Sequence, residues 1–215
     1  MWKSTKQIFK ISLLMIILML HSCIVVKEQV SDESDVEELA VLSIKPEIPM
    51  SDVILRSNKG DMVSYIPEGW FFIDTEQRSS SDIIAVIANP EYSLCAVFSN
   101  LNFTGISIEK KDNENNVETL FDVARESFSR RAKKTGDAVK LIGKYQNLQI
   151  GNKDFVKYEF STTGGALVAK SAVFVSSIGQ FYEFSLIPMN VLGNEIPPKK
   201  EFDKIFNSFL AAIQY

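Results

Sequence analysis

Leu167-Val168-Ala169-Lys170-Ser171-Ala172-Val173-Phe174-Val175-Ser176 decides the fold of this 215-residue chain. Successive side chains of a strand point to opposite faces. Here Val168, Ala172 and Phe174 point one way while Leu167, Ala169, Val173 and Val175 point the other. A strand apolar on both faces belongs to a sheet that is covered on both sides.

The neighbouring stretches supply that sheet and its covers. Gly164-Gly165 and Gly179 read as turns, so 155–161 and 181–187 are expected as antiparallel neighbours, and Leu141–Ile150 with the Gly151-Asn152 turn completes a meander. Upstream, 53–56, 62–66 and 70–74 are short strands separated by Asn58-Lys59-Gly60 and Pro67-Glu68-Gly69. Residues 82–88 and 94–101 flank the hairpin loop Asn89-Pro90-Glu91-Tyr92. Val117, Leu120, Phe121, Ala124 and Phe128 recur at helical spacing, with Asn116 as the cap and Gly136 as the stop. Phe202, Ile205, Phe206, Phe209, Leu210 and Ile213 form the apolar face of a closing helix that starts near Pro198. The expectation is an α+β fold: a single antiparallel sheet of about six to nine strands, with two main helices packed on its opposite sides.

This order of elements, the entry segment Tyr65-Ile66-Pro67-Glu68-Gly69-Trp70, the late hairpins and the closing Phe202-x-x-Ile205-x-x-Ser208-Phe209 pattern resemble the PsbP-like α-β-α sandwich over about Asp52 to Ile213. That superfamily includes a photosystem accessory protein and several small bacterial envelope lipoproteins. The resemblance implies an accessory or assembly role in the envelope. It transfers no functional residue, because the histidines of metal-binding members have no counterpart here.

The start of the chain gives an address. Lys3, Lys6 and Lys10 precede the apolar run 11–20, and Leu20-His21-Ser22-Cys23 follows. The run is too short to span a bilayer as a mature helix, and a small residue precedes the cysteine, so a secretory signal is expected over 1–22. The resemblance to a lipobox implies diacylation at Cys23, making this a lipoprotein held to the membrane at its N-terminus. Ile24 after that cysteine fits the outer membrane, by resemblance to the usual sorting rule. Residues 23–50 read as an acidic flexible tether and 51–215 as the folded domain. The tether's Ser31-Asp32-Glu33-Ser34-Asp35 resembles the export signals of surface-exposed Bacteroidetes lipoproteins, but a plain solvated spacer is the preferred reading because acidic linkers are common.

Composition removes whole classes of chemistry. The formal net charge is −4, so nothing favours binding nucleic acid. The one histidine, His21, leaves with the signal, and with it go Ser-His-Asp and Cys-His catalysis and histidine-built metal sites. Once Cys23 is acylated, Cys95 is the remaining thiol, and its setting in Leu94-Cys95-Ala96-Val97-Phe98 predicts a buried, inert side chain.

Other patterns echo chemistry without its context. Ser107-Ile108-Glu109-Lys110 and Lys134-Thr135-Gly136 match two motifs of penicillin-recognising enzymes in the wrong structural settings. Asp112 to Asn116 spaces oxygen ligands like a calcium loop, but Val117 and Val123 stand where Gly and Glu are required. Arg130, Arg131, Lys133, Lys134 and Lys140 make a basic cluster that complements a helix C-terminus or docks an acidic partner. No catalytic residue, metal site or cofactor is expected.

The candidate partner or ligand surface is Tyr65, Trp70, Phe71 and Phe72. If Trp70 and Phe72 point inward, Phe71 points to the other face, and with both faces covered all three serve as core. The leading functional expectation is a non-catalytic envelope lipoprotein that docks onto another protein. A carrier or sensor of a small apolar ligand is the second reading, and a carboxylate-based hydrolase the third.

Overall fold

A computed structural model describes residues 36–74, 82–102, 116–161, 167–189 and 195–215. The signal 1–22, Cys23, the acidic run 31–35, the Ser107-x-x-Lys110 match, the calcium-like loop up to Asn115 and the Gly164-Gly165 turn lie outside the described residues. The strands are β1 (Val36–Leu42), β2 (Met50–Arg56), β3 (Val63–Pro67), β4 (Phe71–Ile73), β5 (Ile83–Asn89), β6 (Leu94–Asn100), β7 (Leu141–Ile150), β8 (Lys153–Ser161), β9 (Val168–Val175), β10 (Phe181–Pro188) and β11 (Ile213–Gln214). The helices are α1 (Asn116–Lys134) and α2 (Lys199–Ala212).

The α+β layering is as expected, but the single antiparallel sheet is not. An eight-stranded sheet runs β1-β7-β8-β9-β10-β6-β5-β4, and a separate three-stranded sheet runs β11-β3-β2. Every pair within them is antiparallel except β1 with β7, which is parallel. The small sheet exists because α2 ends at an extended Ile213, which lets Ile213 and Gln214 pair with Ser64 and Val63.

The tether is also corrected. Residues 36–42 form β1, from Val36 opposite Tyr145 to Leu42 opposite Ile150, and the compact unit begins at Asp35 instead of Ser51. Ala40 and Leu42 pack on the main core, and Glu47 N–H donates to Ser208 Oγ at 2.9 Å. An acidic segment was thus recruited by its alternate apolar residues and an open sheet edge. Starting the chain at Ser51 is expected to lower the melting temperature, because Leu148 and Ile150 lose their edge neighbour; an unchanged thermal midpoint would contradict this.

Two cores follow from the two faces of β9. On one, Ala172 and Phe174 join Phe98, Phe155, Phe184 and the α2 residues Phe202, Ile205, Phe206, Phe209 and Leu210. On the other, Ala169 and Val173 join Val156, Tyr158, Phe160 and the α1 residues Leu120, Phe121, Val123 and Ala124. The helices therefore cover opposite faces. α1 stops where Gly136 takes a left-handed φ of 60°, a conformation that costs glycine nothing.

Charges inside these layers are paired. Lys170, 3% exposed, donates to Glu159 at 2.8 Å and to Asp203 of α2. Asp61 ties the β2–β3 turn to the β9–β10 turn by accepting from Ser57 Oγ at 2.7 Å, Tyr182 OH at 2.6 Å and Ser176 Oγ. Burial opposes its ionisation, yet the hydrogen bonds from Ser176, Tyr182 and Ser57 outweigh burial and hold its carboxyl below the usual range. The Tyr182 phenol is pushed up to about 12 by burial and by that same bond. Glu159 is likewise lowered, burial being outweighed by Lys170 and Lys157.

A carboxylate with a depressed folded pKa stabilises fully above its unfolded value, about 4, and loses that contribution as pH falls through the folded value. Stability is therefore expected to fall below about pH 4. Asp61→Asn should flatten that dependence; urea midpoints at pH 7 and pH 3 whose gap is the same in both proteins would contradict it.

Candidate functional site

The four aromatic residues singled out in the sequence do not converge. Trp70 is core, 7% exposed, with its ring edge-on to Phe209 at 5.0 Å. Tyr65 lies on β3 in the small sheet, whereas Phe71 and Phe72 lie on β4 at the edge of the large one. Phe71 is 52% and Phe72 43% exposed, so neither is core. An edge strand has a neighbour on one side only, which is why burying consecutive apolar residues there fails.

Strand register shows what Phe71 joins. Directly paired residues share a face. One row across the sheet is Phe71, Ala88, Cys95 and Ile187; the next is Ile73, Val86, Val97 and Ser185; the third is Ile83, Ser99 and Glu183. All three rows lie on the face that α1 covers, but α1 packs on β7, β8 and β9. Ser127 and Arg131 of α1 also reach Glu183 and Ser185 on β10, so the part on which no helix packs among the described residues is that of β6, β5 and β4, where Val86, Cys95 and Val97 are only partly buried. Cys95 is thus not the fully buried thiol expected from its neighbours; its partial burial still pushes its pKa up.

Where α1 ends, this face deepens into a cleft of about 330 Å³ between Ser127, Arg130, Arg131 and Lys134 on the helix side and Ile83, Ser99 and Asn100 on the sheet. Its floor carries Glu183, 4% exposed. Glu183 accepts from Arg131 Nη2 at 2.9 Å, from Ser127 Oγ at 3.1 Å and from Tyr158 OH. Arg131 also donates to Ser185 Oγ at 3.3 Å and stacks over the Phe160 ring at 4.6 Å. Burial acts to lower the guanidinium pKa, but Glu183 and Tyr158 prevail and raise it. Burial and the Glu183 charge push the Tyr158 phenol well up.

Chemically this is a locked charge. Three donors take three of the roughly four lone-pair positions of the Glu183 carboxylate, two on Oε2 and one on Oε1. Arg130 is held by Glu126 at 2.8 Å and by the Asn102 carbonyl at 3.1 Å. Lys134 has no ion-pair partner among the described residues. Among the described residues, no three His, Cys, Asp or Glu side chains gather as a metal site, and no helix is long and apolar enough to cross a membrane.

The basic cluster was legible in the sequence; Glu183, Tyr158 and Ser127 were not. The available signal was Glu183 itself, an acid in the middle of the apolar strand Phe181–Pro188.

The architecture is that of a PsbP-like α+β fold. No family model matches the chain, and no curated protein does. Among solved structures, cyanobacterial PsbP (CyanoP) from Synechocystis sp. PCC 6803 aligns with a TM-score of 0.51 at 12% identity, over 75% of this chain and 91% of that one. The Ran-binding protein Mog1p of Saccharomyces cerevisiae aligns with a TM-score of 0.49 at 12% identity, over 77% and 95%.

Proposed function

We propose that this chain is a non-catalytic, lipid-anchored envelope protein that acts by binding another protein. Cys23 is the attachment point, the outer membrane its address, and the face formed by β4, β5 and β6 its binding face. The observation that carries the reading is that face: neighbouring apolar side chains from β4, β5 and β6, with Phe71 and Ile73 exposed at its edge. Exposed apolar patches rimmed by polar groups mark interaction sites. Phe71 keeps its place in the candidate surface, whereas Trp70 leaves it for the core.

The other two readings fare worse on chemistry. An apolar ligand in the cleft would face Arg130, Arg131, Lys134 and buried Glu183, whose desolvation it could not offset. A carboxylate-based hydrolase needs two opposed acids, and Glu183 already holds Arg131, Ser127 and Tyr158.

A photoreactive residue at position 71 should crosslink a specific envelope protein in intact cells, while one at Val53, exposed on the small sheet, should not. Equal labelling from both positions would sink the reading. Cys23→Ala should release the protein from membranes, and intact-mass analysis showing an unmodified Cys23 would remove the anchor from the proposal.

A further inference from the structure

We propose that β1 is a releasable length of tether: it opens from β7 as a unit while the rest of the domain stays closed, and its release lets the domain stand further from the point where the chain is held. This rests on the reading that the chain is anchored at Cys23.

Burial separates β1 from the rest of the fold. Leu39 is 51% and Val41 71% exposed, Ala40 and Leu42 are only partly buried, and from Leu39 to Ile54 no side chain is fully buried. The other described edge strands hold on better: β2 buries Leu55, β11 buries Ile213, and β4 follows the buried Trp70. β7 does not depend on β1 to stay in place, because Tyr145, Leu148 and Ile150 belong to the two cores and β8 pairs along its other side.

The ladder is short as well. Its register breaks between Glu37 and Ala40, so continuous pairing with β7 runs over Ala40, Val41 and Leu42. Few buried apolar contacts and a short run of edge hydrogen bonds mark an element that opens at a lower free energy than the whole domain.

A pin sets where the release stops. Glu47 N–H donates to Ser208 Oγ at 2.9 Å, and Ser208 is 1% exposed on α2. Ile48 packs against the main core, and the Pro49 carbonyl accepts from Glu68 N–H at 3.1 Å. The segment that leaves is therefore 36–46, ahead of the pin. Fully extended, those residues reach at most roughly 36–40 Å.

Thermolysin tests this on the full chain, since a protease must draw a segment out of its sheet before cutting inside it. Cleavage before Leu39 and before Val41 is followed by mass spectrometry. Both sites are expected to be cut while the domain beyond residue 46 stays resistant. Val173→Ala trims a fully buried side chain of β9. It should speed global unfolding yet leave the cutting rate of β1 within twofold, because the opened form keeps that core. Leu42→Ser should speed cutting about fivefold or more, because it removes an apolar contact that only the closed form makes.

A β1 that is cut only when the whole domain unfolds overturns the proposal. So does a cutting rate that rises with Val173→Ala or is unmoved by Leu42→Ser. Intact mass at Cys23 tells the two failures apart: a lipidated chain whose β1 resists removes the release alone, and an unmodified Cys23 removes the anchor on which the lengthening rests.

Discussion

Replacing Phe209 by alanine is expected to cost about 3–5 kcal/mol, the usual range for deleting a buried aromatic side chain. Phe209 has no exposed surface, and its ring meets Trp70 at 5.0 Å, Phe184 at 5.0 Å and Phe98 at 6.3 Å. It is the point where α2 closes on the adjacent strands β6 and β10 and on Trp70 just before β4, so the neighbours cannot collapse into the space without leaving their register. Against a typical margin of about 5–15 kcal/mol, that loss is a large share of the total. The thermal midpoint should drop by roughly 6–20 °C at the usual 2–4 °C per kcal/mol. Phe71→Ala, on the open face, should change stability by about 0.5 kcal/mol or less. Equal losses at the two positions would mean that the core has been put on the wrong side of the sheet.

Arg131→Met is expected to cost a similar amount by a different route. It removes the cation beside a carboxylate that is 4% exposed, and a buried charge left without its partner costs about 3–5 kcal/mol. Ser127 and Tyr158 still donate to Glu183, but neutral donors do not replace a guanidinium. Adding Glu183→Gln should recover part of the loss, since the amide has no charge to strand. The double-mutant cycle checks this: additive losses would show that Arg131 and Glu183 are independent.

The strands and helices of the domain were readable because their apolar residues keep strict periods, 2 in β9 and 3.6 in α2. What escaped were features set by partners distant in sequence. The alternation of Ala40 and Leu42 with exposed neighbours is too short to mark 36–42 as a strand by itself, because what extends it is the free edge of β7, more than a hundred positions away. The two-residue β11 is likewise invisible until Ile213 is seen beside Ser64. The two faces of β9 were legible, but not that one helix would cover only part of a face eight strands wide. Adjacency in sequence is not adjacency in space for the aromatic cluster: the turn at Gly69 sends Tyr65 and Phe71 into different sheets. Lys170 and Glu183 were visible as lone charges in apolar strands, a pattern that marks buried ion pairs more dependably than it marks catalysis.

The parallel pairing of β1 with β7 bears on mechanics. Were the chain held at its N-terminus, as proposed, drag and collisions would enter as tension through the residues before Val36. Among the described residues β1 would receive that tension first, and it is laid alongside the long strand β7 from Val36 opposite Tyr145 to Leu42 opposite Ile150, with a break in register between Glu37 and Ala40. A pull along its axis would load that ladder in shear, so that the continuous stretch Ala40 to Leu42 shares the force. Had the fold begun at a hairpin, the same pull would have opened it one bond at a time, like a zip.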